Sequence, residues 1–163
     1  MKPEIEEKEK NKIVCYVDSD WGGDTETRKS TSGWIFFVDE CIIAWGSKAQ
    51  KTVTMSSCTA EYVALSDVMK EVLYVNMVCS FMAFNVLLPI TIFCDNMGAI
   101  FLSNNLESKR TKYLDVRYHF IREYVDDGTV KVTFIPSLKN KADVFTKNTS
   151  NSIFQQNLGY MKE

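Results

Sequence analysis

Apolar residues in this chain fall in short runs that stop at an acid or a turn, and their spacing shifts between a period of two and a period near 3.6. Residues 13–17, I-V-C-Y-V, are all apolar or aromatic before Asp18, the pattern of a central strand covered on both faces. The polar stretch G-G-D-T-E-T-R-K-S-T-S follows as a loop. S-G-W-I-F-F-V-D-E-C-I-I-A-W-G-S then predicts an antiparallel hairpin that turns at Asp39–Glu40. S-S-C-T at 56–59 offers capping oxygens, and a helix is predicted from Ala60 to about Phe84. Apolar residues surround most of that helix, which predicts deep burial. Pro89 closes the region, residues 90–94 read as a short buried strand, and 97–104 as a short helix. Leu114 to Val125 carry apolar groups at 114, 118, 121 and 125, a helical period ending before Gly128. Val130, Val132 and Phe134 alternate with Lys131 and Thr133 as a last strand, and Pro136 stops it. A terminal helix is predicted from about Asn140. Three strands, a helix, a strand, helices, a strand and a helix make an α/β fold with a mixed sheet.

A length of 163 residues suits one domain with a substantial core. No apolar run reaches the roughly 18–20 residues of a membrane span. Residues 1–12 are charged with no apolar centre, so they read as a solvated leader or a remnant of a longer parent chain rather than a secretory signal. The expected division is therefore 1–12, a domain over 13–147, and a polar tail over 148–163. Cys15, Cys41, Cys58, Cys79 and Cys94 contain no C-x-x-C pair, which argues against both a zinc site and a disulfide framework. They are expected to be reduced core residues of a cytoplasmic or nuclear protein. The formal net charge of −2 gives little attraction for phosphate, although setting aside four metal-bound acids turns the balance slightly positive.

Four acids stand in separate, recognisable settings. Asp18 and Asp95 each end an apolar run, Glu61 sits in T-A-E-Y near the helix start, and Asp143 lies in N-K-A-D. Each taken alone has an ordinary explanation: a strand-end acid marks a turn, and an acid in a first helical turn complements the helix dipole. Gathered together they would repel and lose hydration, a cost usually offset by divalent metal, which points to two-metal phosphodiester chemistry. Asp18 and Asp20 share a strand face, so periodicity does not choose between them.

Five blocks occur in order: D-S-D-W-G-G-D-x-x-x-R-K-S-T-S-G, S-S-x-x-A-E-Y-x-A-L-S, C-D-N-x-x-A-I, R-T-K-x-x-D-x-R-Y-H-F-I-R-E and A-D-x-x-T-K. Together, over about residues 13–147, they resemble the ribonuclease H domain of copia-type LTR retrotransposon Pol polyproteins. The resemblance implies a ribonuclease H-like fold, a five-stranded mixed sheet flanked by helices, and cleavage of the RNA strand of RNA–DNA hybrids during reverse transcription. It places the catalytic and metal-binding carboxylates on Asp18, Glu61, Asp95 and Asp143, with Asp18 rather than Asp20 bridging two Mg²⁺ ions about 4 Å apart. Mn²⁺ is the expected substitute, and the products would carry a 5′-phosphate and a 3′-hydroxyl. The implied partners are the hybrid and the reverse transcriptase domain of a parent polyprotein, in the cytoplasm within a virus-like particle, or in the nucleus.

Arg28, Lys29, Ser30 and Ser32 in the first loop are candidate substrate contacts, with Ser56 and Ser57 before Glu61 and Asn96 beside Asp95. Lys109, Arg110 and Lys112 form the densest basic cluster. Trp34 and Trp45 are expected in the core. Related retroviral domains carry a histidine before the last aspartate. P-S-L-K-N-K-A has none, leaving the role unfilled or to Lys139 or Lys141. His119, the one histidine, is expected to be a partly buried helix residue outside the chemistry. Tyr113, Asn148, Cys58–Thr59 and Met97–Gly98 depart from the family pattern without removing a proposed ligand. A divergent module that binds nucleic acid without turnover is the alternative. A transposase-like nuclease would share strand-end acids but lacks these ordered blocks.

Overall fold

The computed structural model describes residues 10–104 and 112–147, together with Gln155 and Gly159. Strand β1 (Asn11–Asp20) turns Ile13, Cys15 and Val17 inward, all fully buried. It is longer than the apolar run because partners exist at both ends. Asn11 and Lys12 pair with Val86 and Leu87, and Asp18 to Asp20 pair with Gly33 to Thr31. β2 (Thr31–Val38) and β3 (Cys41–Ala49) form the predicted hairpin. Its central residues, Asp39 (φ 46°) and Glu40 (φ 74°), both adopt the left-handed conformation whose twist matches the flanking strands.

Helix α1 (Ser57–Phe81) starts at Ser56, whose Oγ accepts a 3.1 Å bond from the Thr59 amide. It is buried from Ala60 to Ser66 and at Val68, Met69 and Val72, whereas Tyr74, Met77 and Phe81 are exposed. Burial all round does not hold over the last turns: Val72, Val75 and Cys79 still pack against the core, while Tyr74, Met77 and Phe81 share the opposite, exposed face. Left-handed Ala83 (φ 56°) follows the helix end.

β4 (Val86–Cys94) begins before Pro89, not after it. The proline's missing N–H falls where the β1 ladder is already interrupted, between the Lys12 and Val14 pairings, and just before pairing to β5 starts at Ile90. α2 (Met97–Asn104), α3 (Lys112–Asp126) and β5 (Val130–Phe134) follow. The sheet order is β3-β2-β1-β4-β5, antiparallel through β3, β2 and β1 and parallel through β1, β4 and β5. α1 packs over β1, burying Tyr62, Leu65, Val68 and Met69 with Phe36, Ile92 and Ile121.

Among the described residues, no helix starts at Asn140. Residues 137–147 instead make two single 3₁₀ turns, Ser137–Lys139 and Asp143–Phe145. Asn140 is the cause: its Nδ2 donates to the Val17 carbonyl (2.9 Å) and its Oδ1 accepts from the Ala142 amide (3.1 Å). Side-chain bonds of this kind compete with helix and here tie the segment to β1.

Two core expectations change. Cys15 and Cys94 are buried, but Cys41 is exposed and Cys58 and Cys79 only partly covered; all five are free. Trp34 packs against the core, while Trp45 is 66% exposed on β3, an edge strand with one neighbour. Among the described residues no helix is long and apolar enough to cross a membrane.

Candidate metal centre

β1 and β4 are adjacent and parallel, so their C-terminal ends lie side by side. Asp18 lies at one end and Asp95 immediately follows the other. α1, packed over β1, brings Glu61 in from its second turn, and the second 3₁₀ turn supplies Asp143. Asp18 and Glu61 are 2% and 5% exposed, and Asp95 and Asp143 are half-buried. Carboxylate oxygens of Glu61 and Asp95 lie within 4.8 Å of each other and of Cys94 Sγ.

Burial and mutual charge set the electrostatics. Burial, then the Asp18 charge, pushes Glu61 up to about 8, although Ser19 and its backbone oppose the shift and Asp95 adds to it. Ser19 donates both its amide and its hydroxyl to Glu61 Oε1, at 2.8 Å each. Asp18 is also raised, by burial first; a Thr146 hydrogen bond and the Lys147 charge oppose this, and Asp95 and Asp143 reinforce it. Burial pulls Lys147 down, but its bond to Asp143 and the surrounding carboxylates leave its ammonium raised. Lys147 Nζ pairs directly with Asp143 Oδ1.

The donors converging here are hard carboxylate oxygens, the set that Mg²⁺ and Mn²⁺ prefer. The ammonium of Lys147 pairs with Asp143 and also acts on Asp18 and Asp95. Such a set fits divalent ions. Cys94 sits beside it, but burial, then Glu61, holds its thiol strongly protonated, and a thiol is a poor partner for Mg²⁺.

Asp20 stands apart from this cluster. It is half-buried, and its carboxylate lies against Gly23, where a Cβ would meet Asp20 Oδ2 at 1.6 Å. The loop contacts divide. Arg28 is exposed, with a left-handed backbone (φ 57°), and Lys29 is half-buried. Ser30 and Ser32 are buried and used internally, by Thr54 and the Gly22 amide for Ser30 and by Gln50 Nε2 for Ser32. Ser56 caps α1, Ser57 is exposed at its first turn, and Asn96 Oδ1 accepts from the Ala99 amide at the start of α2. Lys109 and Arg110 lie outside the described residues; Lys112 opens α3, but its side chain is not among those described.

The lysines offered for the missing histidine, Lys139 and Lys141, differ from the one paired with Asp143. Lys139 is exposed, Lys141 Nζ lies over the rings of Phe37 (4.7 Å) and Tyr16 (5.9 Å), and Lys147 pairs with Asp143. His119 is exposed on α3 rather than partly buried. Sequence reasoning also passed over the supports: Ser19, Asn140 and Thr146. Two of these stood inside quoted blocks, D-S-D and A-D-x-x-T-K, but nothing in one dimension shows which acid each would reach.

No family model matches the chain. It is 38% identical, over 86% of its length, to the retrovirus-related Pol polyprotein from transposon TNT 1-94 of Nicotiana tabacum. The chain spans about a tenth of the length of that relative. In structure it resembles the N-terminal RNase H domain of rv2228c from Mycobacterium tuberculosis (TM-score 0.63, 15% identity, 89% of this chain and 97% of that one). It also resembles LC11-RNase H1, solved in complex with an RNA/DNA hybrid (TM-score 0.61, 14% identity, 88% and 99%). At such identities the structural likeness speaks for the fold, and the polyprotein likeness for descent. The chain is thus homologous to a segment of retrovirus-related Pol polyproteins of plant transposons, and it has a ribonuclease H-like fold.

Proposed function

We propose that the domain is a metal-dependent endonuclease that hydrolyses the RNA strand of RNA–DNA hybrids. The observation that carries this reading is the convergence of Asp18, Glu61, Asp95 and Asp143 at one end of β1 and β4, with two of the four deeply buried. These four residues would hold divalent ions. Bound there, such ions supply an acidified water and neutralise charge building on the phosphate.

The chain's own part is to hold the carboxylates in register. Ser19 fixes Glu61 through two bonds to Oε1, and the Cys94 thiol donates to Oε2 at 3.9 Å. Lys147 neutralises Asp143 until a stronger cation arrives. Exposed Arg28 and Ser57, with half-buried Lys29, would meet phosphate or sugar, and a hybrid is recognised chiefly by shape and by its 2′-hydroxyls. Within a parent polyprotein, a reverse transcriptase domain would raise the local substrate concentration that so weakly charged a domain needs.

The test is incubation of the purified chain with Mg²⁺ and end-labelled RNA–DNA hybrid, duplex RNA or duplex DNA. Cleavage of hybrid RNA alone, leaving 5′-phosphate and 3′-hydroxyl ends, is the expected result. Binding without cleavage would favour a module that has lost turnover, and cutting of duplex DNA would favour a transposase-like nuclease.

A further inference from the structure

Thr146 connects two parts of the centre that no covalent route brings close. Its Oγ1 hydrogen-bonds Asp18 Oδ2, 128 residues away in sequence, and lies 3.1 Å from the carbonyl of Asp143. The side chain is 7% exposed. Its methyl group rests on β2 at Gly33, the residue paired with Asp18 across the ladder. A Cβ at Gly33 would meet Thr146 Cγ2 at 2.7 Å, Phe145 Cβ at 2.9 Å and the Phe145 carbonyl carbon at 3.1 Å. The last of these is backbone, which does not swing aside. Gly33 therefore opens the space in which the Asp143–Phe145 turn comes down onto Asp18, and Asn140 anchors the same segment to β1 through the Val17 carbonyl.

We propose that Thr146 is a positioning residue for the metal centre: its hydroxyl orients the Asp18 carboxylate, and its place in the turn sets the spacing between Asp18 and Asp143. The inference rests on the metal-dependent reading above and extends it to a residue that touches neither ion nor substrate. Hydrogen bonds that orient a ligand in this way commonly alter metal affinity by about 10–100-fold when lost. Thr146 also donates to the carboxylate in its charged form, the form a cation requires. The block S-T-S-G and the block A-D-x-x-T-K, far apart in the chain, then serve one purpose.

The experiment is calorimetric titration of the full chain with Mn²⁺, alongside metal-free melting curves, for wild type, Thr146→Ser, Thr146→Val and Gly33→Ala. Serine retains the hydroxyl and loses the methyl; valine retains the shape and loses the hydroxyl. Thr146→Val is expected to weaken Mn²⁺ binding about 10–100-fold, Thr146→Ser to retain wild-type affinity, and Gly33→Ala to weaken binding by displacing the turn. Wild-type affinity in Thr146→Val, or equal losses in the serine and valine variants, overturns the proposal. If Thr146→Val does not fold, Gly33→Ala and Thr146→Ser decide it: wild-type affinity in the first or a valine-like loss in the second refutes the role. Failure of the wild-type chain to bind Mn²⁺ at all overturns the metal reading itself, and this inference with it.

Discussion

Glu61 offers the sharpest physical test of the centre, because burial and the neighbouring Asp18 and Asp95 charges make its carboxylate costly to ionise. Its folded pKa is pushed up to about 8 from an ordinary 4.5. Between those values the folded chain keeps a proton that the unfolded chain has released. Stability is therefore fully present below about pH 4.5 and falls as pH rises towards 8, at roughly 1.4 kcal/mol per pH unit. Over the whole interval the loss is on the order of 3–5 kcal/mol. Glu61→Gln retains Oε1 as acceptor for the two Ser19 donors and cannot ionise. Metal-free thermal melts of both proteins from pH 5 to pH 9 isolate the effect, since every other titrating group is common to the pair. The melting temperatures should agree near pH 5. By pH 8.5 the variant should melt higher, by roughly 6–20 °C at about 2–4 °C per kcal/mol for a chain of this size. Saturating Mg²⁺ should close the gap by stabilising the ionised wild type alone. Parallel pH curves, or a variant less stable at pH 8.5, would refute the electrostatic account.

Other outcomes follow from the same geometry. Asp18→Asn should abolish hybrid cleavage while the metal-free melting temperature holds or rises, because it removes a charge from a repelling cluster; Asp20→Asn should retain most activity, and the reverse ranking in a cleavage assay would transfer the role to Asp20. Leu65→Ala, on the buried face of α1, should cost about 2–5 kcal/mol by urea denaturation. His119→Ala should retain wild-type turnover and melting temperature, since the side chain is exposed on α3; loss of turnover with unchanged hybrid affinity would give it a catalytic part.

Much of the architecture was legible because burial imposes period. The hairpin turn at Asp39–Glu40, the helix over 97–104 and the strand over 130–134 lie where the pattern put them. The failures share a cause: tertiary partners overrode local signals. Pro89 looked like a stop but lies at an interruption of one ladder, and Asn140 looked like a helix start but is held by a carbonyl of β1. Tyr74, Met77 and Phe81 continue the apolar pattern of α1 on its exposed face, opposite Val75 and Cys79, which pack against the core. At the site, the four acids were readable as types in blocks, and their gathering was expected from the family resemblance rather than from spacing. Ser30 and Ser32 show the limit from the other side. A serine near a basic loop reads as a surface contact, yet burial beside Thr54 and Gln50 gives both to the interior.

The central claim is that Asp18, Glu61, Asp95 and Asp143 together hold divalent cations. Anomalous diffraction from crystals grown with Mn²⁺ tests it most directly, because the signal reports the position of the ion itself. The account predicts anomalous peaks among those four carboxylates, with Lys147 displaced from Asp143, and their loss in Asp18→Asn. Crystals saturated with Mn²⁺ that show no peak at this site, or that retain it unchanged in Asp18→Asn, would contradict the claim.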